Sequence, residues 1–414
     1  MRRLLQKLAG SPGGYHVHIN HSAGRVAGIV RIQLQTNDPA LSTKPVDFAI
    51  EIIGTRSLGR AAKQVIPEEA HSSWTAFHSH LLTDGRYTIK WTAGGQRGEA
   101  AVEVRNRGEL ATRVKEQLEA DDVPLFLTEP CDSSLYTYSN EALRPWYDRE
   151  DCHARLDTLL ETNRVPWELE HPFRQFLNEG WLEIENHLDV ALLERLNAAM
   201  DHAAANGESG FVPGSSQRLQ RMHLKYQAFW DVTTYPKTQA VVDSLMQVPS
   251  NVCQVIGFVN GTQQAPHQDT IHLTAFPRGY MCGAWLALED IQPDSGELVV
   301  YPGSHRWDPV LMQDFDIAKV QNAEWSYFAK TVEAKWGKMI AESRVEPVIY
   351  RPRAGSLLVW HDRLMHGGSR RVSESLTRKS CVTHHFAQGS IVYYDSTGLP
   401  GKLIERNEQR TLSL

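Results

Sequence analysis

The sequence predicts a mainly β chain with helices (α+β), arranged as two β domains joined by a helical bridge. Three observations carry that prediction. Short stretches between residues 25 and 104 alternate apolar and polar side chains, the period of half-buried strands. The tripeptide His267-Gln-Asp269 lies among further strand-like runs. An apolar run, Gly355-Ser-Leu-Leu-Val-Trp360-His-Asp-Arg-Leu-Met, leads into His366.

Residues 1–106 come first. Arg25–Thr36, Val46–Ile53 and Gly98–Val104 alternate, and Asp84-Gly-Arg-Tyr87 reads as a turn opening a strand to Trp91. Strands of this length and spacing predict an N-terminal immunoglobulin-like β-sandwich. Its expected role is structural or oligomerising, with glycan binding as the rival reading by analogy alone. His16, His18, His21, His78 and His80 have strand-alternating spacing, but no cysteine accompanies them and their order fits no zinc finger. From 107 to 169 the pattern turns helical, over Gly108–Ala120 and again over Asp151–Asn163, where Leu156, Leu159 and Leu160 share a face. This stretch is expected to bridge the domains. Phe176 to Leu196 then reads as a helix end, a strand, a turn and an amphipathic helix, opening a second domain over 170–414.

Residues two apart on a strand share a face, so His267 and Asp269 present an imidazole and a carboxylate together. A second imidazole from a distant strand, His366, completes two neutral nitrogens and one carboxylate oxygen. That set suits Fe(II) and leaves adjacent coordination positions open. His361 is a rival distal ligand, but the His-Gly-Gly-Ser context favours His366. Strands carrying such a set predict a double-stranded β-helix, a jelly-roll of two antiparallel sheets. His384 and His385 fall on opposite faces of their strand, so at most one looks inward. The long segment between His305 and Ile349 bears Trp325, Tyr327, Phe328 and Trp336, and reads equally as a lid or a dimer interface.

Taken together, several ordered motifs resemble a known family. They are His267-Gln-Asp269, the Trp285-Leu-Ala-Leu288 segment, the Gly296 to Pro302-Gly-Ser-His305 turn, His366 and Arg378. Over roughly residues 170–395 they resemble the phytanoyl-CoA dioxygenase group of Fe(II)/2-oxoglutarate-dependent oxygenases. The resemblance implies Fe(II) on His267, Asp269 and His366, with 2-oxoglutarate and O2 as co-substrates. The far carboxylate of 2-oxoglutarate needs a planar, permanently charged partner, and a guanidinium provides one. Arg378 matches that position by its offset from His366; Arg370 and Arg371 compete but lie in a polar turn. Trp285 matches an indole that helps bind the co-substrate, and Gln254 is a further cofactor-binding candidate. His223 and Lys225 sit where relatives place contacts, although a structural role is the better reading of both. The implied reaction hydroxylates a small molecule and releases succinate and CO2. Halogenating members carry a small residue where Asp269 stands, so hydroxylation is favoured. The alternative is a glycan- or partner-binding scaffold whose jelly-roll domain is catalytically silent.

Composition bounds the rest. At 414 residues two domains are the natural expectation. A formal net charge of −6 without a long basic run argues against nucleic acid as partner. Five cysteines with no pairing pattern suggest reduced thiols and a cytoplasmic setting. The apolar part of Met1–Gly10 is too short for a signal-peptide core, and no stretch is long enough to span a membrane. A sugar or lipid-linked metabolite would suit the glycan analogy as substrate, and a homo-oligomer stays open.

Overall fold

The computed structural model describes residues 14–20, 25–321, 324–404 and 412. His21 and the opening residues lie outside the described residues. The chain forms two compact units: Met1–Leu143 with Met312–Glu324 and Gln388–Lys402, and Arg144–Leu311 with Trp325–Ala387 and Leu403–Leu414.

In the first unit, Tyr15–Ile19, Ile29–Thr36, Trp74–His78 and Phe126–Leu127 make one sheet. Arg25–Val26, Gln96–Val104, Gly85–Ala93, Val46–Ile53 and Ser57–Val65 make another. Alternate residues of both sheets, among them Ile32, Leu34, Phe77, Phe48, Ile52 and Val102, meet in one core. Each such side chain contributes about 1.5–3 kcal/mol when fully buried. The run expected as one strand, Arg25–Thr36, is two. Gly28 adopts φ +70°, a conformation that lets the chain leave one sheet and enter the other. Helix Glu109–Ala120 buries Leu110, Val114 and Leu118 in this unit, whereas helix Cys152–Glu161 lies in the second. The stretch 107–169 is therefore shared between the units.

His78 and His80 of the first unit have other partners. His78 lies between the Pro124 carbonyl at 2.9 Å and the Tyr136 hydroxyl at 3.0 Å, and His80 Nε2 is 2.9 Å from the Gly389 carbonyl. Among the described residues none of them belongs to a metal-type cluster.

The second unit carries a six-stranded antiparallel sheet in the order Trp181–Ile184, Leu357–His361, Met281–Ala287, Ser380–Ala387, Ser250–Phe258, Leu219–Gln220. A three-stranded antiparallel sheet joins Val348–Tyr350, Leu298–Val300 and His366–Gly368. Trp285, Leu358, Val382 and Ile256 from the larger sheet pack with Leu298, Val300 and Tyr350 from the smaller one. Two antiparallel sheets over one apolar core is the jelly-roll arrangement the metal motif called for. Helix Pro236–Met246 packs against the larger sheet through the Ser250–Phe258 and Ser380–Ala387 strands.

Beside the barrel, the segment Arg144–Arg149 is tied down by its side chains. Trp146 Nε1 donates to the Leu245 carbonyl at 2.6 Å, and the Tyr147 hydroxyl donates to the Gly279 carbonyl at 2.6 Å. Asp148 lies 3.0 Å from His361 Nε2 and 2.8 Å from Arg363 Nη2, with His361 1% exposed. Asp362 approaches the other ring nitrogen at 2.8 Å. His361 is thus bound into a salt-bridge network and faces away from any ligand role. Burial opposes its charge, but Asp148 and Asp362 outweigh burial and push its pKa up to about 9. Burial likewise opposes the Asp148 carboxylate, yet His361 and Arg363 hold it well below the usual range.

The pH consequence follows from the signs. The stability that His361 contributes is complete below its ordinary value of 6.5 and fades as pH rises through about 9. That from Asp148 is complete above 3.8 and fades as pH falls below it. Asp148→Asn is expected to destabilise the protein, by up to about 3 kcal/mol, because it leaves Asp362 as the one carboxylate beside the buried His361 and Arg363. It should also flatten the alkaline fall in stability. Denaturant unfolding across this pH range checks both; an unchanged alkaline limb in the variant contradicts the assignment.

Candidate metal centre

His267, Asp269 and His366 converge, with one ligand atom of each lying within 4.8 Å of the others, and all three are buried. His267 Nε2 is 3.7 Å from Asp269 Oδ1, and His366 Nε2 is 3.9 Å from Asp269 Oδ2. Local backbone differs from the expected strand. His267 makes only an isolated bridge, exchanging both backbone hydrogen bonds with His366 at 2.9 and 3.0 Å. Asp269 then opens a 3-10 turn through Ile271. The two side chains still share a face, since the turn begins after Gln268 has kept its extended conformation. His366 also departs from expectation. The apolar strand ends at His361, and after a turn His366 starts a new strand in the smaller sheet.

The tautomers are set by the backbone. His267 Nδ1 lies 3.0 Å from the Ala265 carbonyl and His366 Nδ1 lies 2.9 Å from the Leu364 carbonyl. A carbonyl only accepts, so each Nδ1 carries the proton and each Nε2 turns a lone pair to the common point. Burial, then His366, hold His267 well below 6.5, in the neutral form a ligand needs. Burial opposes ionisation of Asp269, but His366, His384 and His267 outweigh it and keep the carboxyl below its ordinary range. The donor set, its protonation and its burial fit a divalent metal of the Fe(II) type.

Residues that the sequence reading passed over complete the surroundings. Trp360 Nε1 donates to Asp269 Oδ2 at 2.8 Å, orienting the carboxylate. Its indole has room because Gly283 stands opposite on the next strand; a Cβ there would come within 2.3 Å of the ring. His384 is the inward member of its pair, with Nε2 3.7 Å from Asp269 Oδ2 and Nδ1 unpartnered. Burial lowers its pKa to about 4. His385 instead meets Thr383 Oγ1 at 2.9 Å. Gln264 accepts from Arg218 Nη2 through Oε1, so its amide nitrogen faces His267 Nε2 at 3.2 Å. Helix Ser326–Ser343 brings an aromatic wall: the Trp336 ring is 6.1 Å from His267, and Trp325 and Phe328 pack on His272 at 5.7 and 5.4 Å.

The expected co-substrate residues fall as follows. Arg378 is 3% exposed, with its guanidinium 5.5 Å from the Phe258 ring and 5.8 Å from Trp285. Its Nη1 donates to Ser380 Oγ at 3.2 Å, its Nε has no partner, and no carboxylate pairs with it among the described residues. Burial pushes its pKa down to about 10. Glu289 and Glu297 act on it from a distance, but Glu289 is bound by Thr377 and Lys379 and Glu297 by Ser369 and Arg351. Arg370 is exposed, and Arg371 is spent on the carbonyls of Gly214, Glu374 and Leu376. Trp285 lies beneath the Arg378 guanidinium and against Tyr350, packed rather than pointing at the ligand triad. Gln254 sits opposite His384, just after an irregularity in the strand at Val252 to Gln254. Lys225 is an exposed partner of Glu208, and His223 is buried and stacked with Trp230.

Fold and donor set together define the class: a two-sheet barrel with two imidazoles and one carboxylate aimed at one point, the pattern of mononuclear non-haem metal oxygenases. Residues 176–380 match the family model "Phytanoyl-CoA dioxygenase (PhyH)", about half of the chain. Phytanoyl-CoA dioxygenase domain-containing protein 1 of Danio rerio is 27% identical over 171 residues, 38% of this chain and 58% of that protein. Its counterpart in Bos taurus is 39% identical over 176 residues, 39% of this chain. The chain thus spans 60% of the length of the bovine relative. Among solved structures, the epimerase SnoN from nogalamycin biosynthesis aligns with a TM-score of 0.43 at 18% identity, covering 56% of this chain and 88% of that one. EctD from S. alaskensis, with 2-oxoglutarate and 5-hydroxyectoine, aligns with a TM-score of 0.43 at 14% identity, covering 56% of this chain and 79% of that one.

Proposed function

We propose that the protein is a non-haem Fe(II)- and 2-oxoglutarate-dependent oxygenase that hydroxylates a small molecule with release of succinate and CO2. The observation that carries this reading is the convergence of His267, Asp269 and His366 with both Nδ1 protons held by backbone carbonyls. Fe(II) at that point would supply activation of O2 and oxidative decarboxylation of 2-oxoglutarate. The protein's own residues do the rest. Trp360 fixes the carboxylate of Asp269, and the neutral imidazoles of His267 and His366 offer their lone pairs. Arg378 anchors the far carboxylate of 2-oxoglutarate in a dry, apolar setting, where an ionic hydrogen bond is stronger than in water. Trp336 packs against His267, and Phe328 and Trp325 against His272, an aromatic side that we take as the lid of the site. Asp269 occupies the position halogenation would need vacant, which supports hydroxylation.

The scaffold reading has less support. We take the first unit as an immunoglobulin-like sandwich with a structural role. Glycan-binding modules stack sugars on exposed aromatic rings. Among the described residues of this unit the exposed large hydrophobic side chain is Leu58, which is aliphatic. Pooled metabolites incubated with the protein, Fe(II), ascorbate and 2-oxoglutarate under labelled O2 test the proposal. One or more compounds should gain an oxygen atom in step with succinate. Tight glycan binding without any Fe(II)-dependent succinate would overturn it in favour of the scaffold.

A further inference from the structure

The site holds a second inward guanidinium that the reaction just proposed does not use. Arg218 immediately precedes the short Leu219–Gln220 strand at the edge of the larger sheet. Its guanidinium carbon lies 5.9 Å from the ring of Phe258, the same ring that Arg378 approaches at 5.5 Å. One nitrogen donates to Gln264 Oε1, and the Gln264 amide in turn touches His267 Nε2, so a single side chain separates Arg218 from a ligand atom. Among the described residues no carboxylate pairs with Arg218. Burial lowers its pKa, and the charge of Asp269 partly offsets that effect. Its field also reaches His272 and His384.

Charge counting shows why this residue matters. A divalent metal and Arg378 would bring three positive charges, and Asp269 with the two carboxylates of 2-oxoglutarate would bring three negative ones. The loaded site is then neutral without Arg218, and Arg218 adds a half-buried positive charge with only a neutral amide as partner. Holding such a charge partly out of water is unfavourable unless an anion meets it. We propose that Arg218 receives an anionic group of the substrate, so that the substrate class is organic anions bearing a carboxylate or a sulfate or phosphate ester. A planar guanidinium flanked by an aromatic ring recognises all three, bidentately and with little water. Gln264 holds the fork in place through one nitrogen and leaves the others for the ligand.

This inference rests on the oxygenase reading, and the test separates the two. Oxygen-free protein is first titrated with Fe(II) and 2-oxoglutarate; absence of binding there removes the oxygenase reading. Calorimetry then follows hexanoate, hexyl sulfate, hexyl phosphate, hexanol and hexylamine as probes, with and without the metal and co-substrate. The anions are expected to bind at least about tenfold tighter than hexanol, with hexylamine weakest. Their ranking tells a carboxylate from a sulfate or phosphate ester. Arg218→Met should erase the preference and change 2-oxoglutarate affinity by less than about twofold, while Arg218→Lys should keep part of it. Equal binding of hexanol and the anions to the native protein overturns the inference. So does an Arg218→Met variant that keeps the preference. A variant that loses 2-oxoglutarate by the same factor assigns Arg218 to the co-substrate and overturns it too.

Discussion

Asp269→Ala is expected to abolish Fe(II)-dependent succinate formation and to cost the largest loss of metal affinity of any single change in the protein. The carboxylate is the one anionic donor among three, and it is 5% exposed, so water cannot stand in for it freely. Its removal also strands the Trp360 N–H that donates to it at 2.8 Å. Losing an outer partner of a metal ligand costs about 10–100-fold in affinity, and losing the ligand itself should exceed that range. Trp360→Phe supplies the graded control. It keeps the carboxylate and the packing but frees the carboxylate to turn, so its metal affinity should fall within about 10–100-fold. Anaerobic Fe(II) titration and a succinate assay on both variants check the series. Succinate release that survives in Asp269→Ala would falsify the assignment of this triad.

Much of this centre was legible from the chain alone, because its strongest signals are local. His267, Asp269, His366 and Arg378 each sit in a short motif whose spacing can be read directly, and in the structure ligand atoms of the first three lie within 4.8 Å of one another. The reasoning by strand period was nevertheless incomplete. Asp269 begins a 3-10 turn and His366 begins a new strand after a turn, so their convergence depends on the bridge between His267 and His366. Nothing in the local sequence encodes that bridge. The same limit explains Trp360, His384 and Arg218. Trp360 reaches Asp269 because Gly283, from a strand some seventy residues away, leaves it room. One signal was available: a lone glycine inside the apolar strand Met281–Ala287 marks a place where something approaches closely. His384 was narrowed to one of two faces by alternation, and only the register against Gly283 and Gln254 places it inward. Trp285 shows the converse. Its motif was legible, yet its ring serves as a surface for the Arg378 guanidinium, a contact that depends on neighbouring strands.

Arg378→Met should separate binding from stability in opposite directions. In the metal-free protein the guanidinium is buried, its Nε is unpartnered and its one side-chain bond is to Ser380 at 3.2 Å. Burial already pushes its pKa down to about 10, which is the electrostatic cost of holding that charge without an anion. A methionine of similar length removes the cost and can fill the space between Phe258 and Trp285. The variant should therefore be more stable without ligands, on the order of 1 kcal/mol or more. Affinity for 2-oxoglutarate should move the other way. Two parallel charge-assisted hydrogen bonds are worth about 3 kcal/mol or more, so Kd should rise by roughly a hundredfold. Arg378→Lys keeps the charge but loses the fork, and its Kd should rise about tenfold. Thermal unfolding of the metal-free variants, set beside calorimetric titration with 2-oxoglutarate, reads both effects. A residue held for structure alone would lose stability on substitution and leave the titration unchanged, so the opposite signs are what distinguish an anion receptor from a buried strut.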